Sequence, residues 1–232
     1  MRIAIHQPQY LPWLPYCDKA GACDLFVYLD NVQYQKNGVQ NRNQIKTAQG
    51  ALWLTVPVHA QLGQTFAEIT LGDKKWSRKH LQTLSQSYSQ AAHRNLLEEF
   101  SSLLEKHWEN LGELNIAVTE WLFDQLDIKT PRVRASALDA SGVKEELVLA
   151  ICRAAGATEY LSGPGAKEYQ SPENFKAAGI SLLYHHYQHP EYAQCHRSLG
   201  FLPQLSVMDL LLNTGPEAGN ILKQGRLAPE PT

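Results

Sequence analysis

Short apolar runs of strand length alternate with helix-patterned segments at both ends of this chain. That alternation restricts the fold more than any other feature. RIAIHQP reads as a short buried strand. YLPWLPYCDKAGACD follows, with Pro8, Pro12 and Pro15 all early, at a turn and a helix start. LFVYLDN is apolar throughout, as in a sheet covered on both faces. In the last third, PRVRASAL, TEYLSG and SLLYHHY read as strands. KEELVLAICRAAG, PENFKAAG and SVMDLLLNTG read as helices closed by Gly156, Gly179 and Gly215. Strand–helix–strand units of this kind connect right-handed and build a parallel sheet.

The middle of the chain differs. QYQKNGVQNRNQIKTAQG is polar and rich in turn formers. ALWLTVPV and FAEITLG alternate and are expected to pair as a hairpin, with VHAQLGQT as the connection. From Lys75 to Leu126 apolar residues recur at helical spacing (Trp76, Leu81, Leu84, Tyr88, then Leu96, Leu97, Phe100, Leu103, Leu104), predicting two or three amphipathic helices. The expectation is one α/β domain over residues 1–225: a mostly parallel sheet, a helical insertion over 75–127 and a small β-hairpin. Residues 226–232 are expected to be a disordered tail.

The 232 residues carry 21 basic and 23 acidic side chains, a formal charge of −2. That balance argues against a general nucleic-acid or membrane-surface binder, which needs an excess of Lys and Arg. No apolar run approaches the roughly 20 residues that span a bilayer. MRIAIHQPQ has no long apolar stretch or cleavage site of a secretory leader, so the expectation is a soluble, cytoplasmic protein. Cys17, Cys23, Cys152 and Cys195 form no C-x-x-C pair and read as free thiols.

In a parallel α/β sheet, ligands bind beyond the carboxyl ends of the strands. Polar residues gather there. His6, Gln7 and Tyr10 follow the first strand. His6 suits a phosphate oxygen or a leaving group beside a helix start, or simply a loop carbonyl. Asp30, Lys36, Gln40, Asn41, Arg42 and Asn43 follow the second. QNRNQIK either grips a phosphate or carboxylate with an Arg fork and amides, or is a solvated loop. Ser162, Gly163, Gly165 and Lys167 form a glycine-containing turn after a later strand, an anion cradle or a plain tight turn, without Walker or G-x-G-x-x-G spacing. Arg78, Lys79 and His80 suit a basic cap or a solvated face. His185, His186, His189 and His196 invite a metal but lack any specific ligand spacing, so no metal ligand is assigned. Asp209, among apolar neighbours, suits a satisfied buried carboxylate as well as a catalytic one.

HQPQYLPWLPY, DNVQYQKNGVQNRNQIKT, WLTVPV, WSRKH, IC-x-x-x-GA-x-x-YLSGPGAKEY and LSVMDLLLNTG together resemble the WbqC-like family, from about His6 to Gly215. Two positions depart from its pattern: Gly38-Val39, where a bulky aromatic is common, and Pro15, where glycine is. The family is bacterial and often accompanies genes for O-antigen and other surface polysaccharides. A more distant fold-level likeness, a His-containing turn after strand one and then D-x-F-V-x-x-D, is to the nucleotidylyltransferase superfamily. It implies a Rossmann-like (HUP-like) sheet, although H-Q-P-Q-Y replaces the H-x-G-H pair.

The resemblances imply an enzyme of surface-polysaccharide assembly. It would be an ATP- or nucleotide-dependent transferase or ligase forming an amide on an amino sugar, with a nucleotide or nucleotide-linked amino sugar as substrate. His6, Lys36 and Arg42 would be catalytic, with Lys167 beside them on phosphate. Gln7, Tyr10, Gln40, Asn41, Asn43 and the Ser162–Lys167 turn would bind substrate. ATP would come with Mg²⁺, through Asp30. The alternatives are a scaffold protein contacting partners through Trp76, Trp108 and Trp121, and a metal-dependent hydrolase built on the His185–His196 cluster.

Overall fold

The structure is a computed structural model that describes every residue except Asn37 and Lys74. β1 (Arg2–His6) leads through α1 (Leu14–Gly21) to β2 (Leu25–Tyr28). Two small antiparallel hairpins follow: β3 (Arg42–Thr47) with β4 (Gly50–Thr55), and β5 (Val58–His59) with β6 (Thr70–Leu71). Three helices come next: α2 (Lys75–Ser87), α3 (Leu96–Leu104) and α4 (Leu111–Gln125). The chain re-enters the sheet as β7 (Arg132–Arg134), then α5 (Glu145–Ala154), β8 (Glu159–Ser162), α6 (Pro172–Ala177) and β9 (Ser181–Tyr184). It ends with α7 (Val207–Thr214), α8 (Ala218–Gln224) and β10 (Glu230–Pro231).

The six-stranded sheet runs β10-β9-β8-β1-β2-β7, and every pairing is parallel except β10 on β9. The chain winds outward from β1 through β2 to β7, then crosses back to β8 on the other side of β1. Between β1 and β8 the direction of winding reverses, and the carboxyl ends of the strands there are where open α/β sheets bind ligands.

Alternation along the strands assigns side chains to two faces. Ala4, Phe26, Tyr28 and Leu161 face one core with α1, α4, α7 and α8. Ile3, Ile5, Val27, Tyr160, Leu182 and Tyr184 face the other with α5 and α6. Gly156 and Gly179 stop α5 and α6 at φ of 67° and 73°, a region that a Cβ disfavours.

Two expectations change. ALWLT, the first part of the expected strand, pairs with RNQIKT before it, and of the expected hairpin with FAEITLG only Val58 and His59 pair, with Leu71 and Thr70. Gly50, at φ 108°, allows the tight reversal after Thr47, and Ile45 and Lys46, on opposite faces of β3, are both buried. The polar composition of RNQIKT hid a strand whose polar side chains find partners inside. The tail is not a free end either: Glu230 and Pro231 pair with Tyr184 and Leu183, because β9 is otherwise an open edge.

Candidate active site

His6 ends β1, and by strand parity it points to the α1 face. Its ring meets Tyr16 edge-on at 4.6 Å, and its Nδ1 donates to the Gln7 carbonyl at 3.2 Å. A carbonyl only accepts, so the ring proton sits on Nδ1 and Nε2 keeps a lone pair. Burial first, then the neighbouring Lys19 and His185, hold its pKa well below the usual histidine value. The loop-carbonyl alternative is therefore met by one nitrogen, and the other stays free for chemistry.

Lys19 and Asp18 were missed in the sequence, where they look like ordinary polar positions of a short helix. Both are buried. Lys19 Nζ donates to the Ile5 carbonyl at 3.2 Å, and burial lowers its pKa to about 8. Asp18 accepts from His185 Nε2 at 2.8 Å and from Arg226 Nε at 3.0 Å. His185 follows β9, so the carboxyl ends of β1 and β9 contribute two imidazoles beside one ammonium. The only available sequence signals were two charged residues inside an apolar helix and a His directly after a strand.

The loop after β1 is braced rather than open. Gln40 Nε2 donates to Gln7 Oε1 at 2.5 Å, and the Gln40 carbonyl accepts from Tyr10 N at 3.1 Å. Asn43 Nδ2 donates to the Leu11 carbonyl at 2.6 Å and Asn41 Nδ2 to that of Val56 at 2.8 Å. Asn115 on α4, also unanticipated, donates to the carbonyls of Pro8 (3.2 Å) and Gln40 (2.7 Å). Buried backbone carbonyls need donors, and these amides supply them. Expected on substrate, Gln40 and Asn43 instead hold the loop that carries Gln7 and Tyr10, and Asn41 ties to Val56.

Tyr10 is fully buried, and its hydroxyl lies 2.9 Å from His80 Nδ1. The Tyr10 hydroxyl and His80 Nδ1 share one hydrogen bond inside the fold. His80 is thus an interior bridge, not part of a basic cap; Arg78 and Lys79 are exposed. Burial lowers the His80 pKa to about 4.

The structure does not bring His6, Arg42 and Lys167 together. The Arg42 guanidinium lies over Trp53, 4.7 Å from the ring centroid, on the β3–β4 hairpin. Lys36 is exposed on the preceding loop. Lys167 pairs with Glu230 and sits 4.9 Å from the Tyr184 ring centroid, on the α5–α6 face. Ser162 shares that face by its parity with Tyr160, opposite His6. Gly163 is extended at φ −79°, and neither it nor Gly165 is in the left-handed region, so the turn builds no strained anion nest. Both carboxylate oxygens of Asp30 accept from Ser136, from its backbone N at 2.9 Å and its Oγ at 2.7 Å.

The four histidines of the metal alternative separate. His185 meets Asp18, His186 meets Glu230, His189 lies 5.9 Å from Trp13, and His196 engages the Ser87 carbonyl. Among the described residues no group of three His, Cys, Asp or Glu side chains is placed to hold a metal ion. Trp76 on α2 is buried, Trp121 on α4 packs partly buried against the same core, and Trp108, in the loop between α3 and α4, also packs there. A groove of about 810 Å³ between α2 and the end of α3 is lined by Trp76, Arg78, Leu104 and Trp108, and by none of the expected site residues. Asp209 is a satisfied buried carboxylate, accepting from Tyr88, Tyr192 and Gln194. The four cysteines are free. Among the described residues no helix is long and apolar enough to cross a membrane.

The uncharacterized protein Rv1507c of Mycobacterium tuberculosis is 34 % identical to this chain over 230 residues, covering 97 % of this chain and 99 % of that protein. No solved structure matches the chain. The profile of the WbqC-like protein family matches residues 7–221, and the chain belongs to that family.

Proposed function

We propose that this chain is a group-transfer enzyme acting at the carboxyl ends of β1 and β9. It would bind a small anionic molecule and move an acyl or nucleotidyl group onto an amine or hydroxyl. One observation carries the reading: a buried ammonium, Lys19, and two imidazoles, His6 and His185, meet at the carboxyl edge near the point where the sheet reverses its winding.

The charges favour an anion. Asp18 and Arg226 offset one another, which leaves Lys19 as one uncompensated positive charge in a buried setting. A carboxylate or phosphate group would neutralise it, and Lys19 would stabilise negative charge developing on the transferred group. His6, neutral with a free Nε2, is suited to take or return a proton. The braced loop of Gln7 and Tyr10 would keep His6 in place. The winding order supports a Rossmann-like reading of the sheet. The family resemblance points to surface-polysaccharide assembly and to a nucleotide-linked amino sugar as the acceptor, with an amide as product.

ATP with Mg²⁺ does not fit the residues expected to hold it. Lys36, Arg42 and Lys167 occupy separate neighbourhoods, and Asp30 is engaged by Ser136 on both oxygens.

Isothermal titration with nucleoside diphosphate sugars bearing a free amine, and with nucleoside triphosphates with and without Mg²⁺, tests the reading. Heat is expected from at least one amino-sugar nucleotide, and the Lys19→Met variant should abolish it. Absence of heat from every ligand in the folded wild-type chain removes the proposal.

A further inference from the structure

We infer that His185 is the general base of the proposed transfer, and that Asp18, held in place by Arg226, is the positioning residue that decides which of its ring nitrogens is free. The inference rests on the carboxyl edge being the reaction site and adds the proton acceptor to it.

Asp18 is fully buried on α1. Its carboxylate receives Arg226 through Nε at 3.0 Å and Nη2 at 2.9 Å, and lies 2.8 Å from His185 Nε2. Guanidinium only donates, so the carboxylate oxygens act as acceptors toward both partners. The His185 proton therefore belongs on Nε2. Nδ1 carries the lone pair and makes no hydrogen bond to the protein. The Tyr187 ring stacks on His185 at 6.0 Å with planes 21° apart, which limits rotation of the imidazole. An acidic side chain that orients an imidazole and leaves the opposite nitrogen free is the general logic of an activated base.

Arg226 reaches this place because the end of the chain is tied down around His185. Gly225 O accepts from Gln188 N at 2.9 Å, Leu227 N donates to His186 O at 3.2 Å, and β10 pairs with β9. Arg226 Nη2 also donates to the Asp18 carbonyl at 3.3 Å, beside Gly21, where a Cβ would come within 3.4 Å of that nitrogen. The chain terminus is thus built into the wall of the site.

The proton balance is simple. Nδ1 takes the proton of the attacking amine or hydroxyl as the new bond to the transferred group forms. The resulting imidazolium keeps its Nε2–H on Asp18, whose charge stabilises it. The same proton then passes to the leaving group, and the base is regenerated. Lys19, His6, Tyr187, Asp18 and Arg226 are the ionisable groups around this imidazole.

Histidine-selective ¹⁵N labelling tests the arrangement without any substrate. The nine histidines give separable ring signals, and His185→Gln identifies the relevant pair. In its neutral form the wild-type His185 ring is expected to be a single tautomer protonated at Nε2. Asp18→Asn, whose amide can donate to Nε2, should populate the other tautomer, whereas Arg226→Gln leaves the Asp18 carboxylate as acceptor and should keep the proton on Nε2. A wild-type ring protonated at Nδ1, or signals unmoved in Asp18→Asn, overturns the assignment. Should Asp18→Asn fail to fold, the wild-type tautomer decides alone. Once an active substrate is found, His185→Gln should lower kcat at least about 100-fold with little change in KM. Retained kcat would overturn the base assignment while leaving the transfer reading intact. If no ligand binds, the transfer reading fails although the tautomer stands.

Discussion

The ammonium of Lys19 ends 3.2 Å from the carbonyl of Ile5, the residue before His6, and no carboxylate lies within ion-pair distance of it among the described residues. Burial of an unpaired charge is unfavourable to folding. Its pKa falls from 10.5 to about 8, a difference of about 2.5 units, or on the order of 3 kcal/mol. Below pH 8 Lys19 is charged in both folded and unfolded chains, so the folded state bears the whole desolvation penalty. Between pH 8 and 10.5 that penalty disappears, and stability rises. Lys19→Met removes the charge and loses one hydrogen bond worth about 1 kcal/mol. The variant should therefore be about 1–2 kcal/mol more stable than wild type at pH 7, and its advantage should shrink by pH 9.5, while ligand binding is lost. Urea midpoints at the two pH values check this; a lower midpoint at pH 7 contradicts it.

Acid should destabilise the chain through His80. Its folded pKa is about 4 against 6.5 when unfolded, so the unfolded chain binds a proton that the folded chain refuses. The stability present above pH 6.5 is lost as pH falls toward 4, by up to about 3 kcal/mol from this residue. His6 and His189 are lowered as well and add to the slope. His80→Gln should be less stable at pH 7 yet lose less stability between pH 6.5 and 4.5. An unchanged slope of urea midpoint against pH would sink this account.

Asn115 is the donor to two buried carbonyls, those of Pro8 and Gln40. Asn115→Leu keeps the volume and leaves both without a donor from α4, although Gln40 retains Tyr10 N. A loss of about 2–4 kcal/mol is expected. Asn43→Ala should cost about 1–3 kcal/mol, because Leu11 is held at φ 47°, where Asn43 Nδ2 fixes its carbonyl. Denaturant unfolding of the two variants is the check, and losses below about 0.5 kcal/mol would show that the loop does not need these amides.

Asp209 takes hydrogen bonds from Tyr88 Oη at 2.7 Å, Tyr192 Oη at 2.8 Å and Gln194 Nε2 at 2.9 Å. These tie α7 to α2 and to the segment after β9. Asp209→Asn retains one acceptor oxygen and relieves the buried charge, whose pKa burial raises. Asp209→Ala leaves three donors without their acceptor. The alanine variant should be less stable than the asparagine variant by on the order of 2 kcal/mol. Thermal unfolding of the pair at pH 7 decides it, and equal losses would mean that the network contributes little.

Periodicity made most elements legible. RIAIH, LFVY, EYLS and SLLY are strands, and KEELVLAICRAAG and SVMDLLLNTG contain helices that stop before Gly156 and Gly215. RNQIKT was opaque because its burial depends on partners from distant segments: Lys46 Nζ is satisfied by Gln194 and Gly200. The last residues were opaque for the same reason, since a short polar strand forms only where β9 offers an unpaired edge.

The candidate site was legible at His6 and little further. The amides of QNRNQIK have the donors that a ligand needs, and a buried carbonyl needs the same donors. Composition therefore cannot separate Asn43 on a substrate from Asn43 on Leu11. By itself the sequence determined the alternation of strands and helices, hence a parallel sheet with its polar residues at the carboxyl edge. Those are consequences of local periodicity. The tertiary structure decided which charges meet. Strand parity put Ser162 and Lys167 on the face opposite His6, and Asp18, His185 and Arg226 join residues 167 and 208 positions apart. Such contacts depend on the packing of a whole fold, in which each buried polar group takes whatever partner the surrounding chain provides.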